Sequence, residues 1–205
     1  MVLDSCLVHL NNNILCAMRL HKSGPIPRHH DLIEVAIMPL DSHFNPMKHI
    51  LPFTHTIMPK RKYNIEDPSE ATVSKEKLNH ACVNGMEAYT ALTLLDQWFE
   101  ALGLNRGKKI CPLVCSWHED REFWVDWMTY ETYDQYIDWR IRDISIIANY
   151  ANDKADLFAD SAPYPKQHFT YLCSQLKIHR VRDQDILEDC LCLAEVYKRM
   201  LSQRY

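Results

Sequence analysis

Three apolar, extended runs joined by short connections lie between Asn13 and Ile57, and this start restricts the folds open to the rest of the chain. The first runs from Asn13 to Leu20 and is punctuated by Gly24-Pro25-Ile26-Pro27. The second spans Leu32 to Leu40, with Pro39 ending it near Asp41. The third, about Lys48 to Ile57, alternates through Ile50, Pro52 and Thr54 and closes at Met58-Pro59. Runs of this kind bounded by turn residues read as strands. Parallel neighbours need a crossover of a dozen or more residues, so these short connections predict an antiparallel three-strand meander.

Beyond it the hydrophobic period changes. Lys60 to Ser74 is polar and holds Pro68, which predicts a loop, and Ser74-Lys75-Glu76-Lys77 reads as a helix cap and first turn. Met86, Tyr89, Leu92, Leu95, Phe99 and Leu102 recur at helical spacing and predict a core-facing helix over 86–102. Lys109 to Cys115 reads as a buried strand, and a helix follows from about Glu119 with Phe123, Trp124 and Trp127 as its stripe. Helices are also predicted over Arg142 to Phe158, Gln167 to Leu176 and Asp185 to Leu201. Strands first, then helices alternating with strands, predict an α/β chain: a mixed sheet with helices on its faces. With 205 residues, 47% of them hydrophobic, one domain over 1–205 is expected.

Charge excludes a global nucleic-acid field, because 23 Lys and Arg stand against 27 Asp and Glu. Any contact with a polynucleotide must be local, and the clusters Lys60-Arg61-Lys62 and Lys108-Lys109 read as solvated surface. Eight Cys, none in a zinc or CxxC spacing, read as small core hydrophobes of a reduced, intracellular protein. His29-His30 reads as loop surface, and no apolar run is long enough to span a membrane.

Local wording adds a resemblance. Asp31-Leu32-Ile33-Glu34-Val35-Ala36 resembles the second strand of the DnaQ-like (DEDDh-type) 3'-5' exonucleases, and Val83-Asn84-Gly85 with Trp98-Phe99-Glu100 resembles the segment before their second motif. In that motif's place, Cys115-Ser116-Trp117-His118-Glu119-Asp120-Arg121-Glu122-Phe123-Trp124 keeps an Asp and a Phe. Phe169-Thr170-Tyr171-Leu172-Cys173 resembles the late helix, and Gln184 to Cys190 resembles the ending that carries the last Asp. The resemblance runs from about Asn13 to Met200. It implies an RNase H-like fold with a mixed five-stranded sheet, the meander plus parallel strands, flanked by helices.

The family cleaves with two divalent metals held by four carboxylates, beside a general-base His. Registered from Gly24, the first two carboxylate positions are Arg19 and His21, with Lys22 and Ser23 at the two Thr positions. The surviving acids are Asp120 and Asp189, and the base position falls on Gln184, which takes up no proton at neutral pH. An arginine at the metal position repels a divalent cation; it either pairs with Asp120 or Asp189 or contacts a phosphate directly.

The resemblance thus implies a pseudoenzyme with little or no nuclease activity and no expected cofactor, its groove binding nucleic acid through Arg19, His21, Lys22 and Ser116. The competing expectation is an active exonuclease using magnesium or manganese, with replacement carboxylates from Glu119, Asp126 or Glu188 rather than Glu34. The implied partner is a single-stranded DNA or RNA end, or a protein of a nucleic-acid-processing complex. For the latter, Trp127, Tyr130, Tyr133, Tyr136 and Trp139 are candidate partner-facing aromatics, with core packing as the alternative. A cytoplasmic location, in a bacterium or a virus-infected cell, is the matching expectation.

Overall fold

β1 (Ile14–Lys22) is the middle strand of a five-stranded sheet in a computed structural model that describes residue 10 and residues 13–60, 73–104, 107–180 and 185–203. β2 (Leu32–Pro39) pairs with it antiparallel, and β3 (Phe53–Thr56) pairs antiparallel with β2. On the other side β4 (Ile110–Val114) runs parallel to β1, and β5 (Arg142–Asp143) parallel to β4. The strand order is β3-β2-β1-β4-β5, the expected meander continued by parallel strands.

Both faces of the sheet are covered, which is why β1 reads as a continuous apolar run rather than an alternating one. Leu15 and Ala17 face a core shared with α5 (Ile144–Leu157), α6 (Phe169–Gln175) and α7 (Ile186–Ser202). Ile14, Cys16, Met18 and Leu20 face the opposite core, built with α2 (Ala88–Ala101), α3 (Trp117–Met128) and α4 (Tyr130–Tyr136). α1 (Lys75–Asn84) packs Leu78 and Ala81 against Ile33 of β2, its first turn capped by Ser74 as expected. The period of two puts Arg19 and His21 on the α7 face, where the apolar residues of β1 stop. A register shift between His21 and Lys22 bends the strand end.

Several predicted bounds move. The third strand shortens to Phe53–Thr56 because the chain turns between Met47 and Ile50 and Pro52 has no N–H to donate. Arg142 and Asp143 are not helical: they pair with Leu113 and Val114 as the fifth strand, and Asp143 caps α5 through Ser145 N. In α2 the buried stripe is Ala91, Leu95 and Phe99, while Tyr89 is exposed, because the helix turns its small Ala91 toward the core. Trp127, Tyr133 and Tyr136 pack in the core and are not partner-facing, whereas Tyr130 and Trp139 are exposed.

His30 is buried rather than loop surface. Its imidazole lies where a Cβ at Gly24 would stand, and Ile26 N–H donates to its Nδ1 at 3.1 Å, so the ring plugs the β1–β2 connection. Cys16, Cys111, Cys115, Cys173, Cys190 and Cys192 are buried, as core hydrophobes are. Arg61 and Lys62 lie outside the described residues, and Lys60 is exposed.

Candidate functional site

Where β1 ends, its last residues meet two carboxylates delivered by helix first turns. Asp189 sits in the first turn of α7, whose N-cap Asp185 accepts from Leu187 N. Asp120 sits in the first turn of α3. That helix starts abruptly: Ser116 adopts a left-handed conformation (φ 61°, ψ 54°), and Asp143 of β5 accepts from the N–H groups of Ser116 and Trp117 at 3.1 and 2.8 Å. A buried carboxylate thereby satisfies donors that a helix N-terminus leaves open. This turn aims Asp120 back at β1.

Each carboxylate is held by cations. Asp189, 0% exposed, takes a two-pronged contact from Arg180, Nε to Oδ1 at 2.8 Å and Nη2 to Oδ2 at 2.9 Å. His21 Nε2 approaches the same carboxylate at 3.4 Å and Arg19 Nη2 at 3.9 Å. Lys22 Nζ donates to Asp120 Oδ1 at 2.7 Å, with the Phe123 ring centroid 5.0 Å away. Glu34, opposite His21 in the β1–β2 register, lies 2.6 Å from His21 Nδ1 and accepts from Lys77 Nζ of α1 at 2.8 Å.

Two guanidiniums lie over one ring: the Arg19 and Arg180 Cζ atoms are 4.4 and 5.1 Å from the Phe169 centroid. Such cation–π contacts hold arginines at a fixed height when they are shielded from water. Arg180 is further fixed by Nη1 donating to Thr170 Oγ1 at 3.1 Å.

These pairings set the ionisation. Burial alone would raise the Asp189 pKa, but hydrogen bonds from His21 and Arg180 and the charges of Arg19 and Arg180 hold it well below the usual carboxylate range. Glu34 follows the same logic: burial raises it, and His21 and Lys77 bring it below its ordinary value. Burial pushes the Cys115 thiol up to about 11, so this cleft-lining cysteine stays protonated at neutral pH and is no nucleophile.

The groups surround a cleft of about 540 Å³, with Ser116, Glu119, His168, Phe169, Thr170 and Arg180 joining Arg19, His21, Lys22 and Asp120 in its walls. The structure therefore gathers Arg19, His21, Lys22, Ser116, Asp120 and Asp189 in one place. Arg19 pairs with Asp189 rather than Asp120. Gln184 lies outside the described residues. Of the replacement carboxylates, Glu119 lines the cleft at an exposed position beside His118, while Asp126 borders a separate hollow with His30 and Trp127.

A two-metal centre does not fit this donor set. Both oxygens of Asp189 already accept from Arg180, Lys22 occupies Asp120, and among the described residues no group of three or more His, Cys, Asp or Glu is placed to hold a metal ion. Sequence reading missed Arg180 and Lys77, and passed over Glu34. For Glu34 a signal existed, since antiparallel pairing of Leu20 with Val35 sets it opposite His21. For Arg180 and Lys77 none did, because their approach depends on how α1 and the residues that follow α6 lie against the end of β1.

No protein-family model matches the sequence, and no curated protein matches it. Solved structures do. The nuclease domain of 3'hExo, a DEDDh family member bound to rAMP, superposes with a TM-score of 0.55 at 13% identity, over 92% of each chain. E. coli Exonuclease I in complex with a 5cy-dT13 oligonucleotide gives 0.65 at 13% identity, over 94% of this chain and 41% of that one. Cell-death related nuclease 4 gives 0.60 at 15% identity, over 92% and 64%. Metal-bound forms are among these neighbours, namely a zinc-bound Exonuclease I complex with single-stranded DNA and S. pombe Pop2p with Mg2+ and Mn2+. At such identities the likeness concerns architecture, and with the sheet order and flanking helices in place the chain has the fold of the DnaQ-like 3'-5' exonucleases.

Proposed function

We propose that this chain is a non-cleaving nucleic-acid-binding module built on an exonuclease fold. Its cleft takes a DNA or RNA end, and Arg19, His21, Lys22 and Ser116 face the phosphates. The observation that carries the reading is the capture of Asp189 by Arg180, with Arg19 and His21 beside it. In a metal-dependent nuclease the carboxylates are open to hard cations, which polarise the phosphoryl oxygens and supply hydroxide. Here side-chain cations occupy the carboxylates, and a guanidinium binds phosphate oxygens but activates no water. In this reading residues 1–205 act as one domain in the cytoplasm. Among the described residues, no helix is long and apolar enough to cross a membrane.

The test is nucleotide release from 3'-labelled single-stranded DNA and RNA in magnesium and then manganese, beside an Asp120→Ala, Asp189→Ala double variant. The expected result is no release by either protein, with binding of the same strands in EDTA. Release by the wild type that the double variant abolishes would replace this reading with a metal-dependent exonuclease of altered ligand set. Neither release nor binding would point instead to a protein partner in a nucleic-acid-processing complex.

A further inference from the structure

We infer that the cleft recognises a phosphate monoester at a strand terminus, with Arg19 as the donor that reads it; this rests on the nucleic-acid reading above and deepens it. The first observation is an unmet donor. Among the described residues Arg19 Nε is buried without a hydrogen-bond partner, and Arg19 Nη2 reaches Asp189 only at 3.9 Å, because Arg180 already holds both carboxylate oxygens. A buried charged donor without an acceptor is costly, and an anion that supplies the acceptor removes that cost. Arg19 is thus the under-satisfied member of a site whose other cations have close partners.

The second observation is charge. Among the described residues Arg19, Lys22, Lys77 and Arg180 meet three inner carboxylates, Glu34, Asp120 and Asp189. Among these paired groups the cations outnumber the carboxylates, while Glu119 sits at the exposed rim with a side chain 60% exposed. The third observation is depth. The Arg19, Lys22 and Arg180 side chains are only 13%, 12% and 15% exposed, so their nitrogens lie at the floor of the cleft. An internal phosphodiester is tethered on both sides and offers two free oxygens. A terminal monoester is tethered on one side, offers three, and carries up to two charges, so it fits a recessed cationic floor better.

Chemistry at the mouth agrees. Ser116 and Thr170 add hydroxyls, and His168, whose Nδ1 accepts from Tyr171 N at 3.3 Å, has Nε2 left to donate. Neutral donors of this kind bind phosphate oxygens without altering the charge balance.

Fluorescence anisotropy in EDTA tests the inference on labelled single strands of one sequence bearing 3'-hydroxyl, 3'-phosphate or 5'-phosphate ends, with inorganic phosphate and a nucleoside monophosphate as competitors. A terminal phosphate should tighten binding at least about tenfold over the hydroxyl end, the scale of one charge-assisted contact. Arg19→Gln should remove that preference, so that phosphate and hydroxyl ends bind alike and more weakly than the wild type binds a phosphate end, and Arg19→Lys, which keeps the charge but not the fork, should restore it only in part. Equal binding of all three strands overturns the monoester inference and leaves the groove reading standing. Competition by the mononucleotide as effective as that of the phosphorylated strand keeps the monoester site and overturns the polynucleotide reading. Absence of binding by every probe overturns both.

Discussion

Asp189→Asn separates a cation-locked carboxylate from a metal ligand by the sign of its effect on stability. Asn keeps the shape of the side chain and removes its charge. In the wild type Asp189 is 0% exposed and faces Arg180 at 2.8 and 2.9 Å, His21 at 3.4 Å and Arg19 at 3.9 Å. The substitution leaves two guanidiniums over Phe169 without a counter-charge, and breaking a buried ion pair from one side costs about 3–5 kcal/mol. At about 2–4 °C per kcal/mol for a chain of this size, the melting temperature should fall by about 6–20 °C. Thermal unfolding by circular dichroism in EDTA at neutral pH measures it. Carboxylates gathered to hold a metal repel one another without it, so neutralising one would raise stability in EDTA. An unchanged or higher melting temperature for Asp189→Asn would refute the ion-pair account. In an Arg180→Met background the Asn substitution should cost less, by a coupling of about 0.5–3 kcal/mol.

The depressed Asp189 and Glu34 values predict an acid-side dependence: their contribution is complete above the unfolded carboxylate values of about 4 and is lost as pH falls toward the folded values. Melting temperature should therefore drop as pH falls below about 4, with a shallower slope in Asp189→Asn; parallel slopes would contradict it. Gly24→Ala should destabilise by about 1–3 kcal/mol through collision with the His30 ring, and His30→Ala in the same chain should recover part of that loss in urea unfolding. Ser116→Gly should stabilise by up to about 1 kcal/mol, since glycine adopts the left-handed conformation without strain, yet weaken strand binding by removing the hydroxyl. Asp143→Ala should cost more than about 2 kcal/mol, because the carboxylate accepts from Ser116 N, Trp117 N, Ser145 N and Ser145 Oγ and its loss leaves buried donors open.

Much of the fold was legible because its signals are local. The apolar runs of β1, β2 and β4 are buried on both faces, and the helical stripes of α3, α5 and α7 face the two cores. What escaped depends on partners distant in sequence. Arg142 and Asp143 carry no strand signal of their own and become β5 only because β4 offers an open edge to Leu113 and Val114 partners. Tyr89 fitted the period of α2 but lost the core to Ala91. At the site, counting along motifs brought Arg19, His21, Lys22, Asp120 and Asp189 together, yet the groups that decide the electrostatics, Arg180 and Lys77, approach across the fold.

That division bears on what the two acids mean. Motif spacing alone makes Asp120 and Asp189 look like the remains of a metal centre, and an acid in the right register invites the metal back. The pairings give each acid a different reason to be present. With Arg180 and Arg19 over Phe169 and Lys22 against Phe123, removing either carboxylate strands a recessed cation, and replacing the cations strands a carboxylate. Such a network holds its acids in place for structural reasons, whatever binds in the cleft. Functional information then lies in the member that the network leaves incomplete among the described residues, Arg19 Nε, and an oxyanion is the ligand we infer to complete it.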